Sequence, residues 1–383
     1  ALVTAISTML ATGGSAVIMR KMGEQKQNEA RQEFTALIFV NAAVGILMCL
    51  VGYLCMDPIF QKMGLSHETY AYCREYLSGY LLFTVPILLM NNFTLYLIAS
   101  DRSRLSLVCS VSGGILNIVL DYWFIAGLDW GIRGAAIATG LGYSVTAVVG
   151  LIVFAKKNNL LHFTKPVFRL RVLWEAAANG SSEMATSLVT GIVTMMFNST
   201  MLRYAGEDGV AAVTIIMYVL MFVSSLYTGY SYGVAPMISY CYGEQRSDKL
   251  KKLVGISLKI IALISLFSTL ISFGITEKMV SIFTQPDNAV YALAVTGNRI
   301  CSIALLFIGF NIFASGMFTA LSNGFLSAVL AFSRSFVFMA ASMLILPKMF
   351  GITGVWFATP AAELTALCLS AAIFFSNKKR YCY

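Results

Sequence analysis

The chain has 383 residues, of which 58% are hydrophobic and 12% charged, and its mean hydropathy is +0.76. Soluble globular chains carry about 25% charged residues, so this composition excludes an ordinary soluble domain and predicts an all-α polytopic membrane protein. The net charge of +9 does not indicate a nucleic-acid partner, because the basic residues lie in short loops between apolar runs, where they set membrane topology.

Eleven apolar runs have about the length that spans a bilayer. They cover residues 1–19, 33–55, 76–99, 105–127, 132–155, 180–203, 210–240, 252–275, 290–321, 325–346 and 352–376. One set of alternate loops, with the C-terminal tail, holds 18 Lys and Arg, and the opposite loops and nearby helix ends hold 7. The positive-inside rule therefore predicts a cytoplasmic C-terminus.

The sequence repeats at an offset of 220 residues. Gly23-Glu24-Gln25 recurs as Gly243-Glu244-Gln245, and the pattern that runs from Gly131 to Thr139 recurs from Gly351 to Thr359. Two distant clusters that share one offset predict two six-helix lobes, arranged as parallel repeats of a twelve-helix architecture. The same mapping places the counterpart of run 180–203 before residue 1, so we expect the first helix and the start of the second to be absent.

The repeat and the loops predict the domain boundaries. We expect an N-terminal lobe at 1–155, a cytoplasmic linker at 156–179, a C-terminal lobe at 180–376 and a cytoplasmic tail at 377–383. Within the linker, Lys165-Pro166 breaks any helix, and a short interfacial helix is expected at 172–175. The alternative for this segment is a plain surface loop.

No motif indicates an enzyme or a resident metal. The eight cysteines lie mostly inside apolar runs without a C-x-x-C pair, which is typical of small core side chains. His67 and His162 are the two histidines, and neither belongs to an H-E-x-x-H motif. We therefore expect no catalytic residues, no cofactor and no metal other than a Na⁺ ion that Asp121 could bind.

The run 105–127 is apolar except for Asn117 and Asp121, which lie one helical turn apart on one face. An ionised carboxylate in hydrocarbon costs about 3 kcal/mol on insertion scales, so it usually faces a cavity and binds a proton or a cation. The alternative is an Asp near the helix end that headgroups hydrate. Thr139 lies at a similar depth on the next antiparallel helix, although its hydroxyl could instead bond to its own helix carbonyl.

Other polar residues also lie within apolar runs. Arg334 and Glu363 are predicted to form an intramembrane ion pair, either as a structural clamp or as a gated pair. Glu183 either complements the dipole of the first helical turn of run 180–203 or lines a cavity that attracts cations. Asn198, Asn311 and Tyr143 are further candidates for a substrate cavity, and an Asn in such a run otherwise bonds across helices.

The segment 233–243 resembles the P-L-I-S-Y-N-Y-G signature of the multidrug and toxic compound extrusion (MATE) family, in its bacterial MepA-like branch. Asn117-x-x-x-Asp121 and the glycine-rich segment from Gly131 to Thr139 resemble the fifth and sixth helices of that family. The resemblance implies that Asn117, Asp121 and Thr139 form a cation site. The chain departs from the family pattern at Tyr122, where Pro is usual, and at Cys241, where Asn is usual.

The resemblance implies a bacterial inner-membrane antiporter that exchanges amphipathic, often cationic compounds for H⁺ or Na⁺ by alternating access. We expect a monomer whose partners are the bilayer and its small-molecule substrates. The alternatives are a lipid-linked sugar or lipid flippase of the same superfamily and an inactive truncated transporter. The intramembrane charges are balanced, whereas such flippases tend to have basic cavities.

Overall fold

A computed structural model describes residues 2–62, 66–381 and 383, and none of these residues forms a β-strand. The chain divides into two compact units, at residues 1–180 (unit 1) and 181–383 (unit 2). In the described part, eight helices are long and apolar enough to cross a membrane, or nine if one bent pair forms a single span. The all-α polytopic class that the composition predicts is confirmed.

Unit 1 consists of six helices and the start of a seventh. They are α1 (Leu2–Gly23), α2 (Gln27–Lys62), α3 (His67–Leu81), α4 (Thr84–Ala99), α5 (Ser103–Tyr122), α6 (Gly131–Ala155) and the first turns of α7 (Leu170–Gly243). The last turn of α5 continues as a π-helix at Trp123–Gly127. The connections from α1 to α2, α3 to α4, α4 to α5 and α5 to α6 are short, which is typical of antiparallel neighbours, whereas residues 156–169 join α6 to α7.

Unit 2 contains the rest of α7 and six further helices. They are α8 (Ser247–Gly274), α9 (Thr276–Ser281), α10 (Ala289–Cys301), α11 (Leu305–Ala320), α12 (Gly324–Phe332) and α13 (Met339–Tyr381). A 3₁₀ turn at Ser302–Ala304 joins α10 to α11. A π-helix at Ser333–Phe338 joins α12 to α13.

Two of the helices contain a sharp break at a glycine. Gly206 in α7 has φ 64° and Gly351 in α13 has φ 58°, in the left-handed region that side chains other than glycine rarely adopt. At 1.5 Å per residue the 74 residues of α7 would reach about 110 Å, far more than the roughly 30 Å of a hydrocarbon core. At Gly206, α7 therefore divides into two spans. The part of α13 after Gly351 is one span, and the part before it completes the span that α12 begins, in agreement with the eleven predicted runs.

The backbone repeats with the same offset as the sequence. Gln25 and Gln245 both have positive φ, at 62° and 56°, and so do Gly131 and Gly351, at 51° and 58°. The turns after α1 and α7 also share the same three backbone hydrogen bonds, shifted by 220 residues. Because left-handed residues end helices at equivalent places, the two units place their spans in the same order along the chain.

Three details differ from the predictions. The run 76–99 is bent by 52° where α3 meets α4. The expected short helix at 172–175 is wrong as a separate element, because α7 begins at Leu170 and continues unbroken to Gly206. Helix α13 also continues through most of the predicted tail at 377–383, as far as Tyr381. Residues 1, 63–65 and 382, which include Cys382 of the cysteine set, lie outside the described residues.

Candidate functional site

A close contact between α5 and α6 forms the site in unit 1. A Cβ atom built on Gly113 would lie 2.6 Å from the carbonyl oxygen of Gly142, and one built on Gly142 would lie 2.7 Å from the carbonyl oxygen of Gly113. No side chain fits between backbones at that distance. This glycine pair therefore holds the two helices together beside the polar residues that the sequence singled out.

The structure brings Asn117, Asp121 and Thr139 together. The Asn117 amide nitrogen donates to Asp121 Oδ2 at 3.1 Å and lies 3.4 Å from Thr139 Oγ1. The Thr139 hydroxyl donates to the carbonyl oxygen of Ala135 at 2.9 Å. The hydroxyl thus bonds to its own helix, as the alternative prediction has it, and still presents its oxygen to Asn117.

One carboxylate oxygen atom of Asp121 has no hydrogen-bond donor among the described residues. This atom, Oδ1, is buried. A buried acceptor without a donor is costly, and such atoms commonly mark a site for a proton, a water or an ion. The π-helix at Trp123–Gly127 begins two residues later, and single π-helical turns are frequent at functional sites.

Exposed aromatic side chains mark the end of α5 near Asp121. Tyr122, Trp123 and Trp130 are 78%, 56% and 47% exposed, and Trp and Tyr concentrate at the membrane–water interface. The neighbouring Ile118 is also exposed, at 69%, and belongs to the apolar outer face of α5. Asp121, one helical turn after Asn117 and Ile118, is only partly buried and lies close to one end of the span.

A cavity of about 200 Å³ lies beside this triad within unit 1. Its lining combines small, polar and apolar residues: Met90, Ser110, Gly113, Gly114, Asn117, Thr139, Gly142, Tyr143 and Thr146. Tyr143, predicted from the sequence as a cavity residue, therefore lines the same space as Asn117 and Thr139. Asp121 reaches this space through its hydrogen bond with Asn117.

In unit 2, Arg334 and Glu363 lie in contact, with Arg334 Nη1 3.2 Å from Glu363 Oε1. The Glu363 side chain is only 7% exposed and that of Arg334 is 17% exposed. The Asn311 amide donates to Glu363 Oε2 at 2.8 Å, and the Ser370 hydroxyl donates to Asn311 Oδ1 at 2.9 Å. Asn311 thus bonds across helices, as the alternative prediction has it, although the sequence did not indicate that its partner is Glu363.

Glu183 lies on α7 near this pair. Tyr232 donates to Glu183 Oε2 at 3.2 Å, and Arg334 is close enough to act on Glu183 electrostatically. The dipole explanation for Glu183 is wrong, because α7 begins thirteen residues earlier, at Leu170, and the dipole effect is confined to the first turn. Glu183 instead belongs to the same charged cluster as Arg334.

Asn198 lies apart from this cluster. It lines an open groove of about 720 Å³ between the two segments of α7 that flank Gly206, together with Thr194, Met195 and Glu207. No described hydrogen bond joins Asn198 to Glu183, Arg334 or Glu363. The structure thus distributes the four predicted substrate-cavity residues among three places: Tyr143 in unit 1, Asn198 in the groove, and Glu183 with Asn311 around Arg334.

A charged cluster in unit 1 was missed by the sequence analysis. Glu33 on α2 is 2% exposed and accepts from Lys21 and, at 3.3 Å, from Arg169. Arg169 also pairs with Glu29 at 2.9 Å, and this hydrogen bond raises the pKa of the Arg169 guanidinium. The signal in the sequence was an acid, Glu33, at the start of an apolar run, where a polar first turn is usually solvent-exposed.

The fold and these sites define a class of protein: a duplicated, multi-pass helical membrane protein whose spanning helices enclose charged and amide side chains, which is the arrangement of a membrane transporter. The described residues contain no cluster of three or more His, Cys, Asp or Glu that could hold a metal ion. A model of the MatE family matches residues 1–123 and 183–344. The chain belongs to the MatE family.

Known proteins resemble the chain over nearly its whole length. The multidrug export protein MepA of Staphylococcus aureus (strain bovine RF122 / ET3-1) is 25% identical over 380 residues, covering 97% of this chain and 82% of that protein. MepA of Staphylococcus haemolyticus (strain JCSC1435) is 24% identical over 387 residues, covering 99% and 84%. The crystal structure of MATE in complex with MaL6 has a TM-score of 0.93 at 22% identity and covers 99% of this chain and 85% of that chain.

Proposed function

We propose that the chain is a cation-coupled antiporter of a bacterial cell membrane, with a cytoplasmic C-terminus, and that it exports amphipathic, often cationic compounds by alternating access. The staphylococcal relatives that it resembles are multidrug export proteins. The coupling proposal rests on one observation, which is the partly buried Asp121 carboxylate next to Asn117, a residue that lines the cavity, with one buried oxygen atom that no described donor satisfies.

The energetics favour a bound cation at this carboxylate. A charge at the bilayer centre costs about 3 kcal/mol on insertion scales and less toward the interface, and a proton or a Na⁺ ion on Asp121 lowers whatever cost remains at its depth. In a transporter state that opens the site to water, the Asp121 carboxylate is hydrated, so cation binding lowers the free energy less. Because a ligand shifts an equilibrium only by its differential affinity for the two states, cation binding at Asp121 favours the state in which the site is closed to water.

Either coupling ion could use this site. Protonation needs only one oxygen of Asp121, whereas Na⁺ would also use neutral oxygens, for which the Asn117 carbonyl and the Thr139 hydroxyl are placed. The exposed aromatic side chains near Asp121 support an entrance close to one membrane surface. By the positive-inside rule this surface is the outer one, so the external cation reaches Asp121 over a short path.

Replacement of Asp121 tests the proposal. In cells that express the full chain, Asp121→Asn should abolish ethidium efflux while leaving membrane insertion intact, since the amide keeps the size of the side chain and loses the titrating group. Asp129→Asn is the matched control. Asp129 is exposed and has φ 52°, a conformation that Asn tolerates well, so its efflux should equal that of the unsubstituted chain. Undiminished efflux in Asp121→Asn would refute the assignment.

A further inference from the structure

Another cavity of unit 1, of about 420 Å³, lies between α3 and the first turn of α6. Its lining is mostly polar and includes His67, Tyr70, Arg74, Glu75, Ser78 and Arg133. It shares no lining residue with the cavity beside Asn117 and Thr139. The polar cavity at α3 is therefore separate from the candidate cation site.

Two opposite charges of this cavity have no ionic partner. Arg74 is already paired, with its Nε 3.1 Å from Asp57 Oδ1, and Asp57 also accepts a hydrogen bond from Tyr70 at 2.8 Å. Arg133 and Glu75 are both exposed, and neither forms an ion pair with any residue that the structure describes. The cavity thus offers one positive and one negative charge to a ligand.

The helix itself gives no reason for a base at Arg133. Arg133 is the third residue of α6, which begins at Gly131. The N-terminal end of a helix carries a partial positive charge, so a base in the first turn is unfavourable and a bound anion is favourable. Arg133 therefore lowers the stability of its own helix slightly unless an anion lies beside it.

Unit 2 has apolar side chains at the corresponding place. At the offset of 220 residues, Thr353 is the counterpart of Arg133. Helix α10 precedes α11 as α3 precedes α4, and it buries Val290, Ala294 and Val295 in the apolar core of unit 2. Because the same order of helices folds around apolar side chains in unit 2, the fold does not require a polar cavity in unit 1.

The surroundings of the cavity place it at the level of lipid headgroups. The apolar run 33–55 ends two residues before Asp57, the partner of Arg74. Tyr72 on α3 and Trp130 at the N-cap of α6 are 52% and 47% exposed, and Tyr and Trp concentrate at the membrane–water interface. A lipid phosphate can therefore enter the cavity while its acyl chains remain in the bilayer.

We propose that this cavity binds the headgroup of an aminophospholipid, with the phosphate at Arg133 and the ammonium at Glu75. A guanidinium donates paired hydrogen bonds to phosphate oxygens, and a carboxylate accepts hydrogen bonds from a primary ammonium. Phosphatidylethanolamine carries both groups, phosphatidylglycerol lacks the ammonium, and the ammonium of phosphatidylcholine has no N–H to donate. This site does not depend on the coupling role of Asp121.

Native mass spectrometry of the purified full chain tests the site. Phosphatidylethanolamine, phosphatidylglycerol and phosphatidylcholine with identical acyl chains are added in equal amounts, and phosphatidylethanolamine should be retained most. Arg133→Gln should weaken its binding about tenfold, because the charged donor to the phosphate is lost. Glu75→Gln should lower the binding of phosphatidylethanolamine to that of phosphatidylglycerol, because only the contact with the ammonium is lost.

The matched control is Arg299→Gln in unit 2. Arg299 is an exposed arginine that already pairs with Glu277 at 2.7 Å, so its substitution should leave lipid binding unchanged. Equal losses in Arg133→Gln and Arg299→Gln would overturn the proposal, because the lipid would then respond to net charge alone. Equal retention of the three lipids by the unsubstituted chain would overturn it as well.

A soluble competitor separates a lipid from a free phosphate compound. Free phosphoethanolamine, at the concentration of the lipid, should not displace phosphatidylethanolamine; equal binding of the two would overturn the assignment to a membrane lipid. Size-exclusion profiles establish that the variants are folded, which we expect because both substituted side chains are exposed. If Arg133→Gln does not fold, the lipid preference of Glu75→Gln decides alone, and an unchanged preference would refute the site.

Discussion

Units 1 and 2 have a similar order of helices but differ in how the acidic side chain inside each unit is neutralised. The span that contains α5 ends in a π-helical segment at Trp123–Gly127, after Asp121, and the span that contains α12 has one at Ser333–Phe338, which includes Arg334, so the two segments lie at different heights of their spans. In unit 1 the acid, Asp121, has an amide neighbour and an unsatisfied oxygen next to a cavity. In unit 2 the acid, Glu363, is held by Arg334 and Asn311. Duplication preserved where the helices break and not which charges they carry.

This comparison predicts that substitutions of the charged residues themselves give the largest difference between the two units in the free energy of unfolding. Arg334→Ala should destabilise the protein by about 3–5 kcal/mol, the usual effect of removing one partner of a buried pair. Asp121→Asn should leave the melting temperature unchanged or raise it, because it removes a charge that lacks a basic partner. Thermal unfolding in detergent measures both. Equal destabilisation by the two substitutions would mean that Asp121 is paired as tightly as Glu363.

The cavity of unit 1 should be sensitive to a single methyl group at the helix contact. Gly142→Ala places a Cβ 2.7 Å from the carbonyl oxygen of Gly113, and overpacking of this kind costs about 1–3 kcal/mol. We expect a lower melting temperature and slower ethidium efflux, since α5 must move away from α6. Gly114→Ala is the matched control, because a Cβ there meets nothing within 4 Å. If both alanines behaved alike, the close contact would not determine the geometry of the site.

Substitutions of the two asparagines that donate hydrogen bonds to the acids should differ less in their effect on stability. Asn311 is 2% exposed, so Asn311→Ala leaves buried acceptors on Glu363 without a donor and should cost about 1–3 kcal/mol. Asn117 is only half-buried, and Asn117→Ala should change stability by about 1 kcal/mol or less while reducing efflux. Unfolding and efflux assays on both variants separate the roles; a greater loss of stability in Asn117→Ala would reverse the assignment.

The smallest effect is expected at Arg169, the exposed member of the charged cluster around Glu33. Arg169 is half-exposed in its pair with Glu29, and exposed ion pairs contribute little. Arg169→Gln should therefore leave the melting temperature unchanged. Lys21→Met should lower it, because Lys21 is the partner of the buried Glu33 and its side chain is 12% exposed. Melting curves at low and high salt would contradict this ranking if Arg169→Gln were the more damaging change.

The sequence predicted the fold well because hydrophobic run length and repetition are properties of the chain itself. The offset of 220 residues located equivalent turns, and the spacing of Asn117 and Asp121 placed them on one helix face. The Arg334–Glu363 contact also follows from helix depth. The commitment of Asn311 to Glu363 was not predictable, because it depends on which helices of unit 2 are neighbours. Of the two alternatives for Glu183, the helix-dipole one was wrong because no signal in the run 180–203 showed that its helix begins at Leu170.

The most direct test of the central claim is the dependence of export on an imposed ion gradient. Purified full-chain protein in liposomes loaded with ethidium should release the dye faster under either a pH gradient or a Na⁺ gradient. The Asp121→Asn variant should show no acceleration under either gradient, whereas Asp129→Asn should respond like the unsubstituted protein. Gradient-driven release that persists in Asp121→Asn would contradict the account.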